Sequence, residues 1–243
     1  MRITLLKIVL LFLVPNIVFA ETLKVAVASN FQSTMRKIVS VYEEQTGHKV
    51  ILSTGSSGKH FAQIINGAPY DVFFSADVER AHELERAGFG IKGSRFTYAK
   101  GRLVAWGLDY QKGQALSELL KEKKVNTVAI ANSRVAPYGK AAEQVLDAIS
   151  DTQHLDVKIV KGENINQAFV FVKTGNAQLG ILSYAQIIES GHTNYWLIPS
   201  DLYQPIEQQA VILKHSSAAQ SLVDFFKSEQ AKKIIRQQGY TLD

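Results

Sequence analysis

The sequence predicts an α/β protein of two lobes that close on each other like a clamshell. Short buried-strand patterns alternate with helical patterns, which is typical of mixed, mainly parallel sheets flanked by helices. Two longer extended runs, at residues 96–106 and 203–213, interrupt this alternation. We interpret them as two strands that cross between the lobes. The predicted lobes are residues 21–100 together with 206–243, and residues 101–205.

The first 20 residues have the pattern of a secretory signal peptide. Its first residues include the basic side chains Arg2 and Lys7, and a continuously apolar stretch follows at residues 8–14. Val18-Phe19-Ala20 has the small-x-Ala form of a cleavage site. The chain has no cysteine, which excludes disulfides, thiolate metal sites and a lipid anchor on cysteine. We therefore expect export to the periplasm without a lipid anchor.

Charge and histidine patterns narrow the possible functions. The formal net charge is +5, and basic residues are interspersed with acidic ones, so no nucleic-acid partner is expected. The histidines show neither H-x-x-x-H nor a similar spacing, so we expect no metal-cation ligands and no cofactor. They are His48, His60, His82, His154, His192 and His215.

The first two strand–helix units of the predicted lobe 1 share one design. A buried strand at residues 23–28 ends in Ser29-Asn30, and a strand at residues 48–52 ends in the loop at residues 53–59. Apolar residues at helical spacing follow each turn, so Ser29 or Asn30 is the predicted N-cap of the first helix. Parallel strands place their carboxyl ends on one sheet edge, where ligands bind in open α/β sheets.

The loop at residues 53–59, Ser-Thr-Gly-Ser-Ser-Gly-Lys, has the composition of an anion-binding turn. It is not a nucleotide P-loop, because Ser53 stands where the first glycine belongs and His60 where the Ser/Thr belongs. It is not a nucleophile elbow, because its glycines frame two residues rather than three. A serine that merely caps the helix is the alternative to anion binding.

The remaining segments of the predicted lobe 1 are a strand and three helices. A strand at residues 71–74 leads to Asp77, which we expect to cap a helix that ends near Gly88. The tail carries two helices, with Leu222, Phe225 and Phe226 on one apolar face and Ile234 and Ile235 on the other.

The predicted lobe 2 repeats the strand–turn–helix order. A strand at residues 127–131 leads through a loop to Pro137, a residue favoured in the first turn of a helix. A strand at residues 157–160 leads to a turn at residues 162–165 and another helix, and a last strand occupies residues 179–182. Two donor turns from each lobe are thus expected to face the cleft.

These motifs closely resemble those of the periplasmic molybdate-binding proteins of ABC transporters, in the type II periplasmic binding protein superfamily. The resemblance covers essentially the whole chain after residue 20. It implies a periplasmic receptor that captures molybdate, and also tungstate, for an inner-membrane permease with its ATPase. We expect a monomer that is not an enzyme. The matching segments are Ala28-Ser29-Asn30-Phe31, residues 53–59, residues 66–77, Ala136-Pro137-Tyr138-Gly139 and Leu179-Gly180-Ile181-Leu182.

The resemblance also implies a ligand set made only of uncharged donors. Ser29 and Asn30 would donate to the oxyanion from hydroxyl and backbone at the first helix start, and Ser57 would do so at the second. From the other lobe, Tyr138 and Ile165 would contribute chiefly backbone N–H groups.

Three further residues are additional candidates by the same resemblance. Gly58 lies beside Ser57 at the second helix start. Some members of the family add a tyrosine hydroxyl from the segment after Leu-Gly-Ile. Here Ser183 occupies that position and Tyr184 is its neighbour.

The alternatives within this fold are receptors for sulfate, thiosulfate, phosphate or an iron chelate. Molybdate is a fully ionised dianion at neutral pH and needs only donors, whereas phosphate usually carries a proton and calls for an acceptor. Sulfate is also an unprotonated dianion, so its exclusion depends on cavity size. An alternative of another class is a secreted serine hydrolase with Ser57 or Ser29 as nucleophile, which the histidine pattern does not support.

Overall fold

The computed structural model describes residues 20–110, 114–122, 124–150 and 157–242. The predicted signal peptide, residues 1–20, lies outside these ranges except for its last residue. Within them, no helix is both long and apolar enough to cross a membrane.

One five-stranded sheet combines the N-terminal part of the chain with one late strand. Three neighbouring strands are parallel, and the late strand pairs antiparallel with its two neighbours. With strands numbered along the chain, the spatial order is β2 (Lys49–Gly55), β1 (Thr22–Ala28), β3 (Val72–Phe74), β10 (Ile206–Ile212) and β4 (Phe96–Gly101).

The second five-stranded sheet repeats the same arrangement. Its first three strands are again parallel, and the fourth is antiparallel to both neighbours. The spatial order is β7 (Lys158–Gly162), β6 (Thr127–Ala131), β8 (Leu179–Ser183), β5 (Leu103–Trp106) and β9 (Trp196–Leu197). The carboxyl ends of β1, β2, β6 and β7 therefore lead into the four turns that the sequence singled out.

Helices flank both sheets, as predicted, and bury apolar side chains in the cores. In the described ranges they are α1 (Gln32–Thr46), α2 (Ser57–Ile65), α3 (Glu79–Arg86), α4 (Leu116–Lys121), α5 (Pro137–Ser150), α6 (Ile165–Lys173), α7 (Tyr184–Glu189), α8 (Ser217–Lys227) and α9 (Glu229–Gln237).

The chain passes between the sheets at both predicted crossings. β4 ends in the first sheet at Gly101, and β5 begins in the second sheet at Leu103. The extended run at residues 96–106 is therefore two strands in different sheets, separated by Arg102. The return passage at residues 203–205 immediately precedes β10.

Each sheet has its own buried core, so each supports its turns rigidly. In the first, Phe74 packs on Phe226 with ring centroids 4.5 Å apart, and Phe31 meets Tyr98 edge-on at 4.7 Å. In the second, Trp106 is buried and stacks on Phe169. Aromatic contacts of this kind add directional packing to the area that they bury.

The predicted helix caps at Ser29, Asn30 and Asp77 are displaced in the structure. The first two lie in a 3-10 turn, Ser29–Phe31, and α1 begins only after it, because β1 continues to the residue before this turn. Asp77 lies two residues before α3, yet its Oδ1 accepts a hydrogen bond from the Arg80 N–H at 3.1 Å. Asp77 therefore caps α3 although the N-cap residue is Val78.

Candidate oxyanion-binding site

Four turns meet at one small cavity between the two sheets. The cavity has a volume of only about 10 Å³, so its walls lie close together. All five residues that the sequence predicts as ligands line it. The lining residues are Ala28, Ser29, Asn30, Ser56, Ser57, Ala76, Ala136, Pro137, Tyr138 and Ile165.

No lining residue carries an acidic or a basic side chain. Ser57, Tyr138 and Ile165 are each only 1% exposed, so a ligand held here is removed from water. An unpaired charge in such a place is costly unless hydrogen bonds replace its hydration. The cavity offers N–H and O–H donors for that purpose, together with the positive ends of helices.

The start of α2 presents a serine hydroxyl whose hydrogen is free to donate. The Oγ of Ser57 accepts a hydrogen bond from the backbone N–H of Ala76 at 2.9 Å. An accepted bond leaves the hydroxyl hydrogen available for another acceptor. The N-cap residue Ser56 makes no side-chain cap to the helix, so it does not consume the first N–H groups of α2.

The 3-10 turn after β1 presents backbone donors, while the Asn30 side chain is used elsewhere. Its Nδ2 donates to Gln208 Oε1 at 2.7 Å and to the Tyr240 hydroxyl at 3.2 Å. The Tyr240 hydroxyl in turn donates to the Asn30 carbonyl at 2.7 Å. Asn30, Gln208 and Tyr240 are all buried, so their polar groups have no access to water and depend on these bonds. The bonds therefore hold the turn in place on the side away from the cavity.

At the start of α6, the backbone N–H of Ile165 does not take part in the helix cap. The side chain of the N-cap residue Asn164 accepts from the N–H groups of Asn166 at 2.9 Å and Gln167 at 3.2 Å. The N–H of Ile165, the first residue of α6, is not part of this cap. It lies at the cavity with the positive end of the helix behind it.

The start of α5 contributes the backbone of Tyr138 and not its hydroxyl. Pro137 is the first residue of α5 and has no N–H, so the Tyr138 N–H is the first that the helix offers. The Tyr138 hydroxyl points away, to Gln208 Nε2 at 3.4 Å and towards Gly101 on the crossing. Complete burial raises the pKa of Tyr138 well above its usual range, so the side chain stays neutral.

The three additional candidates do not line the cavity. The Gly58 N–H donates to the Val135 carbonyl at 2.8 Å and is engaged there. Ser183 is fully buried at the end of β8, and its Oγ has no hydrogen-bond partner of good geometry. The Tyr184 hydroxyl pairs with the Tyr195 hydroxyl at 3.1 Å.

Several residues of the site are not among the ligands that the sequence predicts. Ala28, Ala76 and Ala136 line the cavity as small residues that let the main chain come close. Gln208 and Tyr240 hold Asn30 from the far end of the chain. The cavity is therefore made as much by backbone placement as by recognisable side chains.

Contacts across the cleft hold the two walls together on both sides of the cavity. On the α2–α5 side, Gly58 pairs with Val135, and Arg80 Nη2 lies 3.4 Å from the Arg134 carbonyl. On the α1–α6 side, Asn166 Nδ2 donates to Gln32 Oε1 at 2.8 Å. Grooves of about 860 Å³ and about 300 Å³ flank the cavity on these two sides.

Other site types find no support in the described residues. They contain no group of three or more His, Cys, Asp or Glu side chains arranged to hold a metal ion. No hydrogen bond among them joins Ser57 to a histidine, and Ser57 Oγ is bonded to the backbone of Ala76.

Comparisons with known proteins agree with the fold. A family model described as bacterial extracellular solute-binding protein matches residues 23–241. The molybdate-binding protein ModA of Azotobacter vinelandii is 44% identical over 229 residues, covering 92% of this chain and 91% of the relative. ModA of Rhodobacter capsulatus is 40% identical over 221 residues, covering 90% of this chain and 87% of the relative.

A solved structure supports the same relationship. The periplasmic molybdate-binding protein of Azotobacter vinelandii superposes with a TM-score of 0.84 at 39% identity, covering 91% of this chain and 99% of that one. The predicted fold class and the predicted resemblance are both confirmed. The family consists of substrate-binding transport proteins and not of enzymes. This chain belongs to the bacterial extracellular solute-binding protein family, and within it is similar to the molybdate-binding members.

Proposed function

We propose that this protein captures molybdate in the periplasm and delivers it to the permease and ATPase of an ABC transporter. The observation that carries the proposal is the cavity between the sheets, which four turns face and no Asp, Glu, His, Lys or Arg side chain lines. The two ModA relatives, at 40–44% identity over about 90% of the chain, support the choice of ligand. Tungstate, with the same shape and charge, is proposed as a second ligand.

The donor set favours an anion that carries no proton. Backbone N–H groups and a serine hydroxyl donate, and a dianion such as molybdate accepts at every oxygen. A phosphate that keeps one proton would need an acceptor in the wall, and the lining residues contain no carboxylate. Hydrogen bonds to a charged group contribute roughly 1.5–3 kcal/mol each, so five or more are compatible with tight binding after the costs of association.

We assign the donors residue by residue. Ser29 donates from its hydroxyl and its backbone, and Asn30 donates from its backbone because its amide is bound to Gln208 and Tyr240. Ser57 donates from its hydroxyl, which the Ala76 N–H orients. Tyr138 and Ile165 donate from the backbone across the cleft.

Sulfate is the ligand that chemistry separates least well from molybdate. Both are unprotonated dianions with four oxygens, and molybdate is the larger because its metal–oxygen bonds are longer. We propose that cavity size and the spacing of the four turns exclude sulfate. An affinity ratio between the two anions measures this directly.

Binding is proposed to couple to closure of two lobes, residues 21–100 with 206–243 and residues 101–205. The cavity receives donors from both sheets, so a ligand completes its contacts only when the walls are together. Passages at residues 101–103 and 203–206 are the proposed hinges. We propose that the protein acts as a monomer, because one chain supplies all four turns.

Export is proposed to depend on residues 1–20. Membership of a periplasmic receptor family accounts for the location. Because the sequence contains no cysteine, we propose that the protein is free in the periplasm and carries no lipid anchor on cysteine.

Thermal unfolding with a panel of anions tests the proposed function. The protein lacking residues 1–20 is heated with molybdate, tungstate, sulfate, phosphate or ferric citrate at equal concentration. A ligand at one hundred times its dissociation constant stabilises by about 2.7 kcal/mol. Molybdate and tungstate are expected to raise Tm by several degrees while the others leave it unchanged. A rise with sulfate or phosphate and none with molybdate would refute the proposal.

A further inference from the structure

A chain of three side-chain amides crosses the cleft at the α1–α6–α7 edge of the cavity. Asn166 Nδ2 donates to Gln32 Oε1 at 2.8 Å, and Gln186 Nε2 donates to Asn166 Oδ1 at 2.8 Å. Gln186 Oε1 in turn accepts from the Ser183 N–H at 3.3 Å. Gln32 belongs to the helix after β1, and the other two amides belong to helices that flank the second sheet.

The chain is attached directly to a residue that lines the cavity. Asn166 follows Ile165, and Gln186 Nε2 also lies 3.3 Å from the Ile165 carbonyl. The side chain of Asn166 is separate from the helix cap, because its backbone N–H alone bonds to Asn164. Removing the Asn166 side chain therefore breaks the crossing and leaves the cap in place.

Gln32 and Asn166 lie on opposite sides of the cleft, so their amides can bond only when the two sides are together. Gln32 and Asn166 are 134 residues apart, and their bond joins two helices that flank different sheets. Both are half-buried at the groove that opens from the cavity on this side. Each amide of the chain that donates also accepts, so neighbouring bonds polarise one another and strengthen the series.

The neighbouring ion pair is less suited to this role. Lys37 Nζ lies 2.6 Å from Glu189 Oε2 across the same edge, and these side chains are 45% and 41% exposed. Exposed pairs contribute little and are weakened by salt. The amide chain carries no net charge, so salt weakens it little.

We propose that Gln32, Asn166 and Gln186 form an amide latch that controls how fast the bound anion leaves. The inference rests on the proposed function and adds residues that do not touch the ligand. The latch forms after the anion has entered, so it lowers the dissociation rate and leaves the association rate unchanged. Because it does not contact the anion, it slows the release of every ligand by the same factor.

Stopped-flow fluorescence of the protein lacking residues 1–20 tests the latch, with molybdate and tungstate as probes. The variants are Asn166→Ala, Gln32→Ala and the double variant. Each single substitution is expected to raise koff about threefold to tenfold, the effect of one net hydrogen bond. The double variant is expected to resemble the more affected single variant, because both substitutions remove the same bond.

Gln167→Ala is the matched control. Gln167 also lies in the first turn of α6 and loses an amide, but its side chain bonds to the Glu163 N–H within the same half of the molecule. Its koff is expected to stay at the wild-type value.

Several outcomes overturn the inference, and the first three are kinetic. They are an unchanged koff in Asn166→Ala, a loss of affinity that falls on kon, and single-variant effects that multiply in the double variant. Different factors for molybdate and tungstate would place Asn166 in contact with the ligand and overturn it as well. If the wild-type protein binds neither anion, the proposed function fails, and the latch with it.

Discussion

The Ser57 hydroxyl and the Ala76 N–H form a 2.9 Å hydrogen bond at the wall of the cavity. The N–H donates, so the hydroxyl oxygen accepts and its hydrogen stays available for another acceptor. This bond converts a serine that could have been a simple helix cap into an oriented donor. It also ties the turn after β2 to the turn after β3.

Ser57→Ala should weaken molybdate binding about ten- to hundredfold, the value of one charge-assisted hydrogen bond. Isothermal titration calorimetry measures the change. Ser53→Ala is the control, since Ser53 lies near the end of β2, pairs with the Tyr70 hydroxyl and does not line the cavity. Equal affinities of the Ser57 variant and the wild type would remove this hydroxyl from the site.

Gly58→Ala should separate closure from folding. A Cβ at Gly58 would lie 2.9 Å from Val135 Cα and 3.1 Å from its carbonyl oxygen, on the opposite wall of the cleft. Overpacking of this size costs about 1–3 kcal/mol, so molybdate affinity should fall about ten- to hundredfold. The free protein is not strained within α2, where alanine is a better helix former than glycine.

The two expectations for Gly58→Ala are measured separately. Urea unfolding without ligand should give a free energy equal to or up to about 1 kcal/mol above the wild-type value. Lys59→Ala, at the exposed neighbouring position, should bind molybdate within about twofold of wild type, because exposed charges are screened. A Gly58 variant that binds as tightly as wild type would show that the lobes do not close against this contact.

Substitutions of Asn164 should separate the effect of the α6 cap on stability from the effect of charge at the start of α6 on molybdate affinity. Asn164→Ala removes the acceptor for two N–H groups and should cost about 1 kcal/mol of stability, a loss of roughly 2–4 °C in Tm. Asn164→Asp keeps the acceptor and should preserve Tm. Its carboxylate lies beside the helix start that would hold a dianion, so affinity should fall about tenfold or more.

Calorimetry of Asn164→Asp at two salt concentrations checks the electrostatic part. The loss of affinity should shrink as salt rises, because screening weakens the repulsion. An Asp variant that binds molybdate like wild type would mean that the anion does not sit at the start of α6.

Burial of His60 should make the protein less stable in mild acid. The pKa of His60 is lowered from its ordinary value chiefly by burial, which disfavours the charged ring. In the unfolded chain the ring takes up a proton as pH falls below about 6.5, while the folded protein resists it. The contribution of neutral His60 to the free energy of unfolding is thus fully present above that pH. It is lost as pH falls, by up to about 1.4 kcal/mol per pH unit.

Urea unfolding of wild type and His60→Gln at pH 7.5 and pH 5.5 measures this contribution. The wild-type protein should lose more free energy of unfolding over that interval than the variant. Molybdate affinity should stay constant over the same interval, because no lining residue titrates in it. Parallel pH profiles of the two proteins would exclude His60 as a source of acid sensitivity.

The sequence predicts the turns of this site well because each has a local signature. A buried strand, then small hydroxyl or glycine residues, then helical spacing marks the turns at Ser29, Ser57 and Ile165. These features act within a few residues, so they are readable without the fold. The Pro137 start of α5 is readable for the same reason.

The features of the site that the sequence does not predict depend on contacts between distant residues, which local patterns do not contain. Asn30 is held by Gln208 and Tyr240, at separations of 178 and 210 residues. The Gly58 N–H is consumed by a carbonyl on the other wall. Ser183, aligned with a family contact, is buried at the end of β8 and does not reach the cavity.

The strand order of the first sheet determines when the receptor can assemble. Strand β10 lies between β3 and β4, so the sheet that carries two of the four turns is completed by one of the last segments to be synthesised. The strands of the second sheet all come from residues 103–197, so they can pair before β10 has been made. Distant pairings close slowly because of their loop entropy. During synthesis the strands of the second sheet can therefore pair first, and the proposed anion site is complete only after residues 206–212 have been made.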